Sequence, residues 1–183
     1  VQALKIIGLV GMPGSGKTLA VNVAKSLGIP VISMGDMVRE EVKSRGLEET
    51  PENVGYVSKD LREKEGPQAV AQRTLAKIKK EKAPVILIEG IRSLQEIELF
   101  KTFTSDFTLI AIHSSPKTRY RRLTERGRSD DAKDIRIFQE RDLREINYGI
   151  GSVIALADYM IVNEGSESEL MRKVQTILEE IMQ

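Results

Sequence analysis

Gly11-Met12-Pro13-Gly14-Ser15-Gly16-Lys17-Thr18 fits G-x-x-x-x-G-K-[ST], the P-loop pattern. The run before it, Leu4 to Val10, is apolar and reads as a buried strand. The segment after it, Thr18 to Leu27, has helical apolar spacing and stops at Gly28. A strand, a glycine loop and a helix in that order are the context in which this pattern binds phosphate. The physical reason is direct. Glycines let the backbone curl so that successive N–H groups point inward at phosphate oxygens. The helix N-terminus adds positive potential. Gly11, Met12, Pro13, Gly14, Ser15 and Gly16 are therefore expected to wrap a triphosphate. Lys17 is expected to reach its β- and γ-phosphates, and the Thr18 hydroxyl to coordinate Mg²⁺. A chance glycine turn before a helix is the alternative, and a complete match in this context disfavours it.

Downstream, strands and helices alternate. Ile29 to Ser33 reads as a second strand. Asp36 reads as the N-cap of a charged helix, Met37 to Arg45, closed by Gly46. Leu47 to Lys82 is polar, helical and punctuated by Pro51, Gly55, Gly66 and Pro67, so it reads as a helical excursion. Strands follow at Val85 to Ile88, Phe107 to Ile112 and Asp158 to Val162. Helices are expected at Lys117 to Arg126, Ile135 to Asn147 and Glu167 to Ile181. This alternation implies a parallel sheet covered on both faces.

Composition narrows the chemistry. The 183 residues suit one domain, and 28 Lys+Arg against 27 Asp+Glu leave a net charge of +1. There is no Cys, and His113 is the only His. Thiolate nucleophiles, Cys-ligated zinc and multi-histidine metal sites are excluded. Near-neutrality argues against a general nucleic-acid binder, so no nucleic-acid partner is expected. The longest apolar runs fall far short of the ~20 residues a membrane span needs, so no membrane partner is expected. The first residues do not read as a signal peptide, and the expected location is cytoplasmic. The expected assembly is a monomer or a weak homo-oligomer.

A P-loop serves GTPases, motors, transporters and kinases alike. The guanine-reading [NT]-K-x-D motif of GTPases is absent from the sequence. Val85 to Glu89 ends in a single acid and Gly90. An acid at this strand end would sit beside the P-loop, where Glu89 could hold Mg²⁺ through water. The alternative is a carboxylate that caps the next turn.

Ser33-Met34-Gly35-Asp36-Met37-Val38-Arg39 then decides more. Together with the P-loop it resembles the P-loop nucleoside monophosphate kinases, adenylate kinase in particular. In that family the second strand leads into a serine-threonine-glycine-aspartate stretch and a helix whose Arg holds the acceptor phosphate. Ser33, Gly35, Asp36 and Arg39 occupy those positions, and Met34 replaces the Thr that faces the acceptor nucleotide. Glu89-Gly90-Ile91-Arg92 stands where the family has Asp-Gly-Phe-Pro-Arg, one residue shorter. The resemblance implies an acceptor-phosphate role for Arg92 and places Gly90 at the acceptor. Taken alone, Arg39 could equally be a solvated residue on a charged helix. Glu-Gly-Ile-Arg-Ser is also similar to a little-characterised archaeal family related to adenylate kinase and compared with dephospho-CoA kinase. The fold expected is α/β: a three-layer P-loop NTPase fold with a five-stranded parallel sheet in the order 2-3-1-4-5. Helices cover both faces, an acceptor-binding helical insertion spans about 36–82, and a short Arg-rich lid spans about 126–141.

Eight of the 14 arginines fall between Arg119 and Arg144, and Lys117 to Arg128 carries +5. Arg119, Arg122 and Arg126 share a helix face. Guanidinium is planar and bidentate, which suits phosphate. The family places such a cluster around a lid over the ATP phosphates. The resemblance thus makes Arg119, Arg122, Arg126 and Arg128 catalytic candidates, with Arg141, preferred over Arg136, as the second lid arginine. It also sets the loop from Val162 to Gly165, with Asn163, near the adenine, which its main-chain groups would contact. An ordinary turn is the alternative there, and a solvated helix is the alternative for several of the arginines.

The expected activity is transfer of the γ-phosphoryl of MgATP to a small nucleotide such as AMP, with ATP and Mg²⁺ as the cofactors. A hydroxyl-directed kinase like dephospho-CoA kinase is the first alternative, with Asp36 or Glu89 as base. An ATP-binding regulator or slow ATPase is the second. The excursion from Asp36 to Gly66 carries −3, which suits a small acceptor better than a polyanion.

Overall fold

The computed structural model describes residues 4–127 and 134–183. Five parallel strands form one sheet: β1 (Lys5–Val10), β2 (Val31–Ser33), β3 (Val85–Glu89), β4 (Phe107–His113) and β5 (Tyr159–Val162). Their order is β2-β3-β1-β4-β5, as expected from the sequence. Alternation along the strands divides the core in two. Ile6, Val10, Ile86, Ile88, Leu109 and Ala111 face one side. Ile7, Leu9, Leu87, Ile110, Ile112 and Ile161 face the other.

The second side is covered by α1 (Lys17–Ser26) and α9 (Glu167–Met182). Ala20, Val23 and Ala24 there meet Leu170, Val174, Leu178 and Ile181. On the first side lie α2 (Met34–Ser44), α3 (Pro51–Glu65), α4 (Ala69–Ile78), α5 (Leu94–Phe103) and α8 (Ile150–Ala155). They contribute Val38, Val42, Val57, Leu61, Val70, Phe100 and Val153. Two more helices, α6 (Pro116–Arg126) and α7 (Ile135–Tyr148), follow β4.

Register sets the site. Leu9 pairs with Glu89, and Ser33 with the same Glu89. The C-terminal ends of β1, β2 and β3 therefore finish together, which is where ligands bind in open α/β sheets.

Three local features differ from the sequence reading. Asp36 is not the N-cap of α2. Helix α2 starts at Met34, directly from β2, with extended Ser33 at the cap position and Asp36 inside the first turn. Ser33 holds the cap position by its extended backbone alone, since its hydroxyl is turned to Glu89 and Asp36 is turned to Arg39. The other two features are helices the reading did not assign, α5 and α8. Helix α5 opens on a full capping box in which the Ser93 side chain accepts from the Glu96 N–H. Helix α8 is only six residues long, too short for a periodic pattern.

Glu96 is fully buried. Its carboxylate accepts from the Arg92 N–H at 2.8 Å, the Ser93 N–H at 3.3 Å and Arg62 Nη2 at 3.0 Å. One side chain thus joins α3, α5 and the turn that carries Arg92. Glu96→Ala would take the carboxylate partner from the Arg62 guanidinium and leave the Arg92 and Ser93 N–H groups without their acceptor. The expected loss is about 3–5 kcal/mol. Thermal unfolding should show it as a fall in Tm on the order of 10 °C.

Candidate active site

The P-loop leaves β1 at Val10 and enters α1 at Lys17. Gly14 and Gly16 hold φ of +82° and +113°, where a side chain is strained. Space forbids one as well. A Cβ on Gly14 would sit 2.9 Å from the Arg119 carbonyl oxygen, and one on Gly16 would sit 2.6 Å from Asn163 Nδ2. The loop is packed from behind by α6 and by the loop after β5.

A cavity of about 670 Å³ opens in front of it. Gly11, Pro13, Gly14, Gly16, Lys17 and Thr18 form one wall. Arg39 and the turn Glu89-Gly90-Ile91-Arg92 form another, and Arg122, Arg126, Arg141 and Glu145 close it. The structure thus brings together Lys17, Thr18, Arg39, Glu89, Gly90, Arg92, Arg122, Arg126, Arg141 and Asn163. Met12, Ser15, Ser33, Gly35, Asp36 and Arg119 are not among the lining residues. Arg128 lies outside the described residues.

Lys17 Nζ donates to the Gly11 carbonyl at 2.5 Å. Burial pushes the Lys17 ammonium down to about 8, against the opposing pull of Glu89 and Glu145. A desolvated ammonium among backbone amides is poised to gain a phosphate partner.

The acceptor-side residues are held in pairs. Arg39 donates to Asp36 through Nη2 at 2.6 Å and Nε at 3.1 Å. Ser33 Oγ donates to Glu89 at 2.5 Å, tying the end of β2 to the end of β3. Arg92 Nε donates to Glu145 at 2.7 Å.

The arginines of α6 have separate tasks. Arg122 donates to Ser114 Oγ at 2.9 Å and to the Asn163 carbonyl at 3.0 Å, and it faces the cavity. Arg119 is 3% exposed and grips Asp142 of α7 at 2.6 and 2.9 Å. Its other contacts are the carbonyls of Ser114 and Pro13. With its guanidinium committed to fixed partners, Arg119 acts as a positioning residue, whereas the sequence reading placed it among the arginines on the transferring charge. Asn163 also faces inward. Its Nδ2 donates to the Ser15 carbonyl at 2.8 Å, so the side chain seats the P-loop.

Glu145 and Asp142 were not foreseen. Their signal was the helical spacing Phe138, Arg141, Asp142, Glu145, which puts all four on one face of α7. Nothing local names their partners, 53 and 23 residues away in sequence.

Among the described residues, no three His, Asp or Glu side chains gather as a metal cage. Thr18 offers a hydroxyl on the P-loop wall and Glu89 a carboxylate at the end of β3, in a cavity that Glu125, Glu145 and Glu167 also line. That fits Mg²⁺, which keeps several waters and takes its other ligands from phosphate.

A parallel sheet in this order, with a P-loop at the strand ends and a basic cavity beside it, defines a kinase-like P-loop domain. Residues 10–137 match a family model described as an AAA domain. The UPF0200 protein of Methanocaldococcus jannaschii is 48% identical over 97% of this chain and 90% of its own length. The chain belongs to the UPF0200 family. In fold it is similar to shikimate kinase from Bacteroides thetaiotaomicron, with TM-score 0.66, 17% identity and coverage of 97% and 99% of the two chains. It is also similar to a gluconokinase from Sinorhizobium meliloti, with TM-score 0.59, 14% identity and coverage of 99% and 95%. The likeness to adenylate kinase rests on the motifs quoted above.

The pKa of Lys17 has a measurable consequence. A triphosphate on the loop requires the charged ammonium, while the free protein holds it only about half protonated near pH 8. Binding of MgATP at pH 8 should take up about half a proton, and affinity should fall as pH rises further. Calorimetry in buffers of different ionisation enthalpy measures the uptake. Lys17→Met should abolish it.

Proposed function

We propose that the protein is a phosphotransferase that moves the γ-phosphoryl of MgATP to a small nucleotide acceptor. The observation that carries this reading is the single cavity shared by the P-loop and by Arg39 and Arg92. Donor and acceptor phosphates bound at its two ends would meet over Lys17. Mg²⁺, held by Thr18 and through water by Glu89, would supply charge neutralisation at the β- and γ-phosphates. The protein's own part is to position and to neutralise. Lys17 takes up charge at the transferring group, and Arg122, Arg126 and Arg141 face the same space. A nucleotide phosphate is already ionised and needs no general base.

One observation favours a second reading, an acceptor hydroxyl. Glu89 presents a carboxylate to the cavity, steadied by Ser33, where a hydroxyl would need a base. The two kinases similar in fold are named for acceptors that carry hydroxyls.

ATP consumption measured against a panel of nucleoside monophosphates and hydroxyl acceptors, dephospho-CoA included, separates the two. Acceleration by a monophosphate with stoichiometric diphosphate formation is the expected result. Lys17→Ala should lower that turnover by on the order of 100-fold or more. Unchanged turnover in this variant would remove the phosphate-cradle assignment. If no acceptor accelerates turnover while ATP still binds, both kinase readings fail.

A further inference from the structure

Glu145 projects from α7 into the cavity and is only 7% exposed. A buried carboxylate is costly unless cations hold it. Here Arg92 approaches through Nε at 2.7 Å and through Nη2 at 3.4 Å. Burial works to raise the Glu145 carboxyl. Arg92, Lys17 and Arg141 together outweigh it and hold the group below the usual carboxylate range. Arg92 is the cation in contact with this carboxylate, and Lys17 and Arg141 line the same cavity from the P-loop and from α7. A convergence of guanidinium groups and an ammonium is an anion site by its chemistry.

We propose that Glu145 occupies the seat of the acceptor's phosphate group, so that Arg92 is masked in the empty protein and is released when that phosphate displaces the carboxylate. Glu145 is then a selecting residue. It sets a threshold that a weakly charged acceptor does not cross, because only an anion replaces the interactions that Arg92 loses. It also prevents the cavity from presenting an uncompensated Arg92 to every passing anion. The proposal rests on the reading of a phosphate-bearing acceptor, and it makes a statement about binding that does not depend on turnover.

Phosphate affinity at the second site tests it. The P-loop is first filled with Mg²⁺ and a non-hydrolysable ATP analogue, and inorganic phosphate is then titrated calorimetrically. Glu145→Gln keeps the shape and a hydrogen bond to Arg92 but removes the charge. It is expected to bind phosphate at least about tenfold more tightly than the natural protein, as befits removal of a close like charge from an anion site. Arg92→Met is expected to abolish phosphate binding at this end in both backgrounds. Equal, weaker or undetectable phosphate binding by Glu145→Gln overturns the proposal, because a residue that merely braced Arg92 would give no gain. Phosphate binding that survives Arg92→Met overturns it independently, and this arm stands even if Glu145→Gln is unstable. Loss of turnover with intact phosphate binding would count against the kinase reading and leave the phosphate seat in place.

Discussion

The guanidinium of Arg119 ties together the parts of the phosphate-binding end. It donates to Pro13 in the P-loop, to Ser114 after β4 and to both carboxylate oxygens of Asp142 on α7. The ring of Phe138 lies 5.0 Å away, so the cation is covered by a π-face as well. A charge 3% exposed is tolerable only when its donors are satisfied in this way. Lysine could not substitute, because its three donors lack the planar fork that meets a carboxylate and two carbonyls at once. The clamp fixes α6 against the P-loop, where the Arg119 carbonyl leaves no room for a side chain on Gly14. It also sets the height of α7, and therefore where Arg141 and Glu145 enter the cavity.

The arginines on the acceptor side of the cavity are each held by a carboxylate. Arg39 meets Asp36, and Arg92 meets Glu145. The Lys17 ammonium instead meets the Gly11 carbonyl, a neutral acceptor. The end built for a triphosphate thus keeps a cation in need of an anion. The other end keeps its cations satisfied until something replaces their partners.

The fold was legible because its signals are local. Apolar runs marked each strand, and the eight-residue glycine motif set β1 and α1 in register with a phosphate. Ser93 and Glu96 carried a capping-box signal just as local, and reading it would have supplied α5. Asp36 was misassigned because Ser33, three residues earlier, already stood in the cap position. The division of labour among the arginines was not local. Arg119 and Arg122 lie on one face of one helix with the same chemistry. What separates them is that Asp142 reaches the first, while the second turns to Ser114 and Asn163. Helical spacing predicts a shared face but not which member of it will be buried.

The two sides of the site are held by different forces. Helices α1 and α9 carry the P-loop on interlocked apolar side chains. Helix α7 turns Phe138, Asp142 and Glu145 inward, while Ile137, Leu143 and Ile146 are 56%, 60% and 52% exposed. Its docking therefore combines one small apolar contact, Phe138 against Leu123 and Tyr120, with the ion pairs to Arg119 and Arg92. An arriving anion cannot compete for the contacts between α1 and α9, since it has nothing to offer a hydrocarbon surface. It competes directly for a guanidinium already held by a carboxylate. The phosphate cradle is thereby insulated from its ligand's charge, and the wall that carries Arg141 and Glu145 is exposed to it. A rigid donor seat and a charge-sensitive facing helix follow from that single difference in packing.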